Sequence, residues 1–88
     1  MTTTAPLAPG SIIGILGGGQ LGRMLATAGA ELGFDVHVFD PAICAPAARV
    51  AARGYAAPWS DLGAVASFAA RCDAVTYEFE NVPVNAVK

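Results

Sequence analysis

Residues Ile12-Ile13-Gly14-Ile15-Leu16-Gly17-Gly18-Gly19-Gln20-Leu21-Gly22-Arg23-Met24 constrain this chain more than any other stretch, because they read as a buried strand passing through a glycine turn into a helix. Five of the ten glycines fall between positions 14 and 22. A turn without Cβ atoms at the head of a helix lets a ligand's phosphate or hydroxyls approach backbone N–H groups. Those groups lack intrahelical partners and sit at the positive end of the helix dipole. The expectation is an anion-binding mouth.

The elements around this turn follow from local pattern. Residues 1–10 carry threonines, two prolines and a glycine with no hydrophobic period, and read as a flexible leader. Residues 11–88 then form one small domain. Ser11 to Leu16 is short, apolar and rich in β-branched residues, as in a central strand buried on both faces. Leu21, Met24, Leu25, Ala28 and Leu32 recur at helical spacing and predict the stripe that packs on the sheet. Gly33 is predicted to end that helix in a left-handed cap.

Asp35 to Phe39 alternates and reads as a second, parallel strand. Pro46 is placed to open a short helix through Ala47, Ala48, Val50 and Ala51, closed by Gly54, and Tyr55 to Ala57 reads as a weak third strand. Ser60 or Asp61 caps a helix in which Leu62, Val65, Ala66 and Ala69 share a face. Asp73 to Tyr77 returns as a fourth strand, and Val84 to Lys88 reads as the first turn of a further helix. This alternation predicts an α/β fold, a Rossmann-like parallel sheet with helices on both faces. Ligands of such sheets bind outside the carboxyl ends of the strands. The glycine loop, Asp40, and Glu78 with Glu80 converge there.

Composition excludes several classes. The net charge is -2, and Arg23, Arg49, Arg53, Arg71 and Lys88 are scattered, so neither nucleic acid nor an anionic membrane is an expected partner. The apolar runs are too short to span a bilayer and the first residues lack the charged start of a signal peptide, which leaves the cytoplasm as the expected location. Cys44 and Cys72 show no ligand-like spacing and read as two reduced thiols in or near the core. His37 alternates with Val36 and Val38 and reads as a surface-facing strand residue. A hydrophobic content of 55% with 14% charged residues predicts apolar surface that further chain or a partner subunit covers.

Gly17, Gly19 and Gly22 satisfy the G-x-G-x-x-G spacing, and Asp40 lies where a dinucleotide site places an acid on the adenosine ribose. The motif alone therefore suggests an NAD- or FAD-binding domain of an oxidoreductase. The same loop serves any ligand that needs close backbone approach, or packs helix against strand with no ligand at all. Asp40-Pro41 is also a common turn opener. Glu78 and Glu80 fall on one side if strand geometry continues past Tyr77. Paired carboxylates there accept hydrogen bonds from sugar hydroxyls or an amine and repel a pyrophosphate; the bland alternative is a solvated acidic turn.

Taken together, Gly17-Gly18-Gly19-Gln20-Leu21-Gly22-Arg23-Met24, Asp40-Pro41 followed by Pro46-Ala47 and Val50-Ala51, and Cys72-Asp73-Ala74-Val75-Thr76-Tyr77-Glu78-Phe79-Glu80-Asn81-Val82-Pro83 resemble the start of the 5-(carboxyamino)imidazole ribonucleotide synthetase family. That family is the ATP-dependent subunit of phosphoribosylaminoimidazole carboxylase in bacterial purine synthesis. The pairing of Gln20–Met24 with Tyr77–Pro83 separates it from biotin carboxylases and from the formate-dependent glycinamide ribonucleotide transformylase, which are similar in topology. The resemblance implies an ATP-grasp ligase whose first, pre-ATP-grasp domain is this module. In that family ATP phosphorylates bicarbonate, the amine of 5-aminoimidazole ribonucleotide captures the activated carboxyl group, and Mg²⁺ neutralises the phosphates.

The resemblance further implies that Gly18, Gly19, Gln20 and Leu21 meet the ribonucleotide through the glycine loop, while Glu78 binds its ribose hydroxyls or amine. Asp40 and Glu80 would stand behind these residues. No residue of this chain is implied as a nucleophile or a metal ligand, because the reaction rests on positioning and charge stabilisation. The sequence has no lysine before Lys88 and no acid cluster suited to Mg²⁺. The ATP and Mg²⁺ sites are therefore expected in ATP-grasp domains beyond this chain, which is itself expected to be inactive. A homodimer is also implied.

Overall fold

The computed structural model describes residues 8–77. Strands β1 (Ile12–Leu16), β2 (Asp35–Phe39), β3 (Arg53–Tyr55) and β4 (Ala74–Tyr77) form one sheet in the order β3-β2-β1-β4, and every pairing is parallel. Helix α1 (Gln20–Glu31) joins β1 to β2, a single 3₁₀ turn (Ala47–Arg49) precedes β3, and α2 (Leu62–Ala70) joins β3 to β4. Alternation along the strands divides the core. Ile15, Val36 and Val38 pack with Ala26 of α1 and Ala47 on one face, while Leu16 and Phe39 pack with Val65 and Phe68 of α2 on the other. The expected α/β architecture, with helices on both faces, is the one observed.

Helix α1 presents a different side to the sheet from the one its apolar residues predict. Its buried positions are Gly22, Ala26 and Gly29. Leu21, Met24, Leu25 and Leu32 are instead 45%, 67%, 39% and 71% exposed, and Ala28 is exposed as well. The reason is proximity: a Cβ added at Gly29 would lie 2.8 Å from Val36 Cγ2, so the helix rides too close to β2 for large side chains to intervene. The predicted cap holds. Gly33 sits at φ +90°, its N–H donates to Ala30 O at 3.0 Å, and the Phe34 N–H donates to Gly29 O at 3.0 Å. Gly10, at the end of the expected leader, donates its N–H to Gly33 O at 2.8 Å.

The β2–β3 connection also departs from expectation. Pro46 opens only the one 3₁₀ turn, and Gly54 lies inside β3 instead of closing a helix. The third strand is Arg53–Tyr55 rather than residues 55–57, because pairing with β2 captures the chain early: the Ala52 N–H donates to Val36 O at 2.9 Å and Arg53 aligns with His37. In α2, Asp61 is the cap and its carboxylate accepts the Ala64 N–H at 3.0 Å. The buried residues there are Val65 and Phe68, with Ala69 partly buried, while Leu62 and Ala66 are exposed. The bulky Phe68 ring sets that face.

His37 is half-buried on the α2 side of the sheet, 5.9 Å from the Tyr55 ring, and not surface-facing as its alternation suggests. Cys44 is exposed, away from the core, and Cys72 is partly buried; both thiols are free. Glu78, Glu80 and the helical turn expected at 84–88 lie outside the described residues.

Candidate functional site at the carboxyl edge of the sheet

The glycine loop begins where β1 ends, and its first two amides are engaged within the fold. Gly17 adopts φ +104°, closed to most side chains, and its N–H donates to Phe39 O at 2.8 Å. Gly18 is buried; its N–H donates to Asp40 Oδ2 at 2.8 Å and its carbonyl accepts the Ala47 N–H at 2.9 Å. A Cβ at Gly18 would sit 2.7 Å from the Ala45 Cβ, so the loop tolerates nothing larger there.

The second half of the loop is differently disposed. Gly19 is the N-cap of α1 and supplies no side-chain cap, and the first turn holds no acidic residue. The intrahelical ladder starts with the Arg23 N–H donating to Gly19 O at 2.9 Å. The peptide N–H groups of Gln20 and Leu21 precede that ladder and have no carbonyl four residues back within the helix. Both residues are exposed. The positive end of α1 thus meets solvent without a counter-charge from its own first turn, the arrangement that favours an anionic or hydroxyl-rich ligand.

Asp40 braces this mouth. Besides holding Gly18, its Oδ1 accepts the Ala42 N–H at 2.8 Å, which fixes the turn beyond β2. In a dinucleotide site this carboxylate would be given to ribose hydroxyls and the early loop amides to a pyrophosphate. Here the Gly17 and Gly18 amides are already in use, by Phe39 O and Asp40 Oδ2, and are not offered to a pyrophosphate. The geometry therefore does not favour the oxidoreductase reading. On the β4 side, Tyr77 is paired with Leu16, so β4 ends beside the start of the glycine loop. Glu78 and Glu80 follow Tyr77 in sequence and lie outside the described residues.

A cleft of about 290 Å³ opens on the other side of the loop, between Gly18 and Gly19, the Asp40-Pro41 turn, Pro46 and Trp59. Sequence reasoning gives Trp59 no role; the available signal is that it is the chain's one tryptophan, in the loop beyond β3. Among the described residues no group of three or more His, Cys, Asp or Glu side chains could hold a metal ion. No described helix is long and apolar enough to cross a membrane.

Residues 11–88 match the family described as the ribonucleotide synthetase preATP-grasp domain. The N5-carboxyaminoimidazole ribonucleotide synthase of Brucella melitensis is 55% identical over 80 residues, which are 91% of this chain and 22% of that protein. The Bacillus subtilis enzyme of the same name is 42% identical over 79 residues, 90% of this chain and 21% of its own. Among solved structures, an ADP complex of N5-carboxyaminoimidazole ribonucleotide synthetase aligns with a TM-score of 0.87 at 45% identity, covering 96% of this chain and 22% of that one. The Aspergillus clavatus N5-carboxyaminoimidazole synthase, in complex with ADP and 5-aminoimidazole ribonucleotide, aligns at 0.76 and 37% identity over 90% of this chain and 21% of its own. The chain thus spans about a fifth of the length of these relatives. Since the match runs from residue 11 to residue 88 and the sheet agrees with the solved members, the chain belongs to the ribonucleotide synthetase preATP-grasp domain family.

Proposed function

We propose that residues 11–88 are the N-terminal substrate-binding domain of an ATP-dependent ligase that carboxylates 5-aminoimidazole ribonucleotide with bicarbonate in purine biosynthesis. The observation that carries this reading is the first turn of α1, without a side-chain cap and without acids, in a chain whose relative from Aspergillus clavatus is solved with that ribonucleotide. Gln20 and Leu21 offer the ligand backbone donors at the positive end of the helix, Gly19 lets it approach closely at the N-cap, and Gly18 gives the loop its shape. Glu78 accepts hydrogen bonds from the ribose hydroxyls or the amine, at a distance from the phosphate that its charge would repel. Asp40 supports the loop from behind, and Glu80 supports Glu78.

The domain contributes binding and orientation, and none of its residues acts as a nucleophile or a metal ligand. ATP and Mg²⁺ belong to the ATP-grasp domains of the complete enzyme, where the metal would neutralise phosphate charge. The reading includes a cytoplasmic, homodimeric enzyme.

The test is a chimera in which residues 11–88 replace the corresponding segment of the Bacillus subtilis relative. The assay follows ADP release that depends on 5-aminoimidazole ribonucleotide and bicarbonate. An active chimera supports the reading, and a folded but inactive one overturns it. Within an active chimera, Glu78→Gln should cost about 1.5–3 kcal/mol of transition-state stabilisation, roughly 10- to 150-fold in kcat/KM for the ribonucleotide. An unchanged kcat/KM removes Glu78 from the site.

A further inference from the structure

The ribonucleotide reading gives no role to Pro41, Ala42, Pro46 and Trp59, which line the cleft on the β2 and β3 side together with the loop residues Gly18 and Gly19 and the brace Asp40. We propose that this cleft is a second small-molecule site, for a nucleoside-like ligand: a planar heteroaromatic ring carrying N–H or O–H donors. Its volume, about 290 Å³, falls just below the ~300–1,000 Å³ common for small-molecule pockets. That admits one ring system with a sugar but not a dinucleotide.

Three features select this chemistry. Trp59 is half-buried and lines the cleft, and its ring rests on Phe39 with centroids 5.3 Å apart and planes at 38°. Phe39 is 2% exposed, so the core, not the loop, sets the position of the indole. A ring held in this way is a stacking platform for another aromatic ring. Pro41 and Pro46 add stiff apolar wall. Asp40 supplies the polar end: each carboxylate oxygen holds one backbone N–H and keeps a further lone pair for a ligand donor. No lysine or arginine lines the cleft among the described residues, so a donor-bearing neutral ring fits there better than a phosphate.

Trp59 is the chain's sole tryptophan, so indole-selective fluorescence reports on the cleft alone. Adenosine is the probe, titrated into the full 88-residue chain. Saturable quenching is the expected result, with ribose 5-phosphate leaving the emission unchanged. Ala42→Leu, at an exposed residue of the rim, should weaken adenosine binding at least tenfold without disturbing the fold. By calorimetry, Trp59→Leu should lose about tenfold in affinity, the usual order for one base–aromatic stack, and Trp59→Phe should retain most of it. Adenosine that fails to quench, ribose 5-phosphate that quenches equally, or an Ala42→Leu chain that binds like the parent would each overturn the site. Turnover of the chimera is read separately, so either idea can fail while the other stands.

Discussion

Gly29→Ala in α1 and Gly63→Ala in α2 are the same chemical change with opposite expected signs. Alanine is favoured over glycine in a helix interior by about 0.8–1 kcal/mol. A Cβ built on Gly63 meets only Asp61 Oδ1, at 3.6 Å, so that substitution should realise most of the gain, about 0.5–1 kcal/mol. A Cβ built on Gly29 instead lies 2.8 Å from Val36 Cγ2. Val36 is 2% exposed, β-branched and packed in the core with Ile15, Ala26 and Val38, so its methyl group gives way poorly and the contact is relieved chiefly by a shift of α1. Overpacking of this kind costs about 1–3 kcal/mol, which offsets or exceeds the propensity gain and leaves a net loss of up to about 2 kcal/mol. A chain of this length holds about 4–13 kcal/mol in all, and each kcal/mol moves Tm by about 4–8 °C. Thermal and urea unfolding followed by circular dichroism should therefore place Gly29→Ala below the parent, by up to about 16 °C, and Gly63→Ala a few degrees above it. Met24→Gln, at a position 67% exposed, completes the test and should stay within about 0.5 kcal/mol. If Gly29→Ala stabilised as Gly63→Ala does, or if Met24→Gln cost about 2 kcal/mol or more, α1 would be burying its leucine and methionine stripe and the reasoning would fail.

Asp40→Ala removes the acceptor of two backbone N–H groups, one of them on buried Gly18, and should cost about 2–3 kcal/mol in urea unfolding. A loss under about 0.5 kcal/mol would show that the carboxylate does not hold the loop. His37, the single histidine, is held below its ordinary pKa of 6.5 by burial first and then by Arg53, with Asp35 opposing and Arg71 adding to the depression. The unfolded chain therefore binds that proton first. Stability from this residue is complete above pH 6.5 and is lost as pH falls through the lower folded value. The difference in unfolding free energy between parent and His37→Gln should shrink over that window, with the imidazole titration followed by NMR. A difference that grows on acidification would contradict the assigned direction.

What the sequence discloses about this fold is what short range decides. The span of β2, the left-handed residue at Gly33 and the Asp61 cap depend on neighbours a few positions away, and each is found where local pattern puts it. The buried face of α1 is decided across the sheet. Glycine carries no hydropathy, so the Gly22, Ala26 and Gly29 row is silent beside a leucine stripe until the distance to Val36 is known. The start of β3 likewise depends on hydrogen bonds offered by β2 and not on the β-propensity of Arg53 or Gly54. At the site, the Asp40-Pro41 turn is readable from two adjacent residues, and the Ala42 N–H bond bears it out. The bond from Gly18 spans 22 residues and leaves no mark in the sequence around either partner. Trp59 is the same case, since only the packed core brings it to Phe39 and the cleft.

These bonds divide the glycine loop into two parts with different duties. Gly17 and Gly18 direct their amides inward, to Phe39 and Asp40, and so fix the path of the chain before any ligand arrives. Gly19, Gln20 and Leu21 then open the helix from a loop already held in place, which spares a ligand the entropy of ordering it. The division separates two kinds of damage. Substitutions at Gly17 or Gly18 act first on folding, because a side chain at Gly17 is strained at φ +104° and one at Gly18 collides with Ala45. Substitutions at Gln20 or Leu21, both exposed and outside either core cluster, should leave the fold alone, and under the proposed function they would act on ribonucleotide binding. A glycine signature taken as one motif conceals that difference, and the direction in which each amide points reveals it.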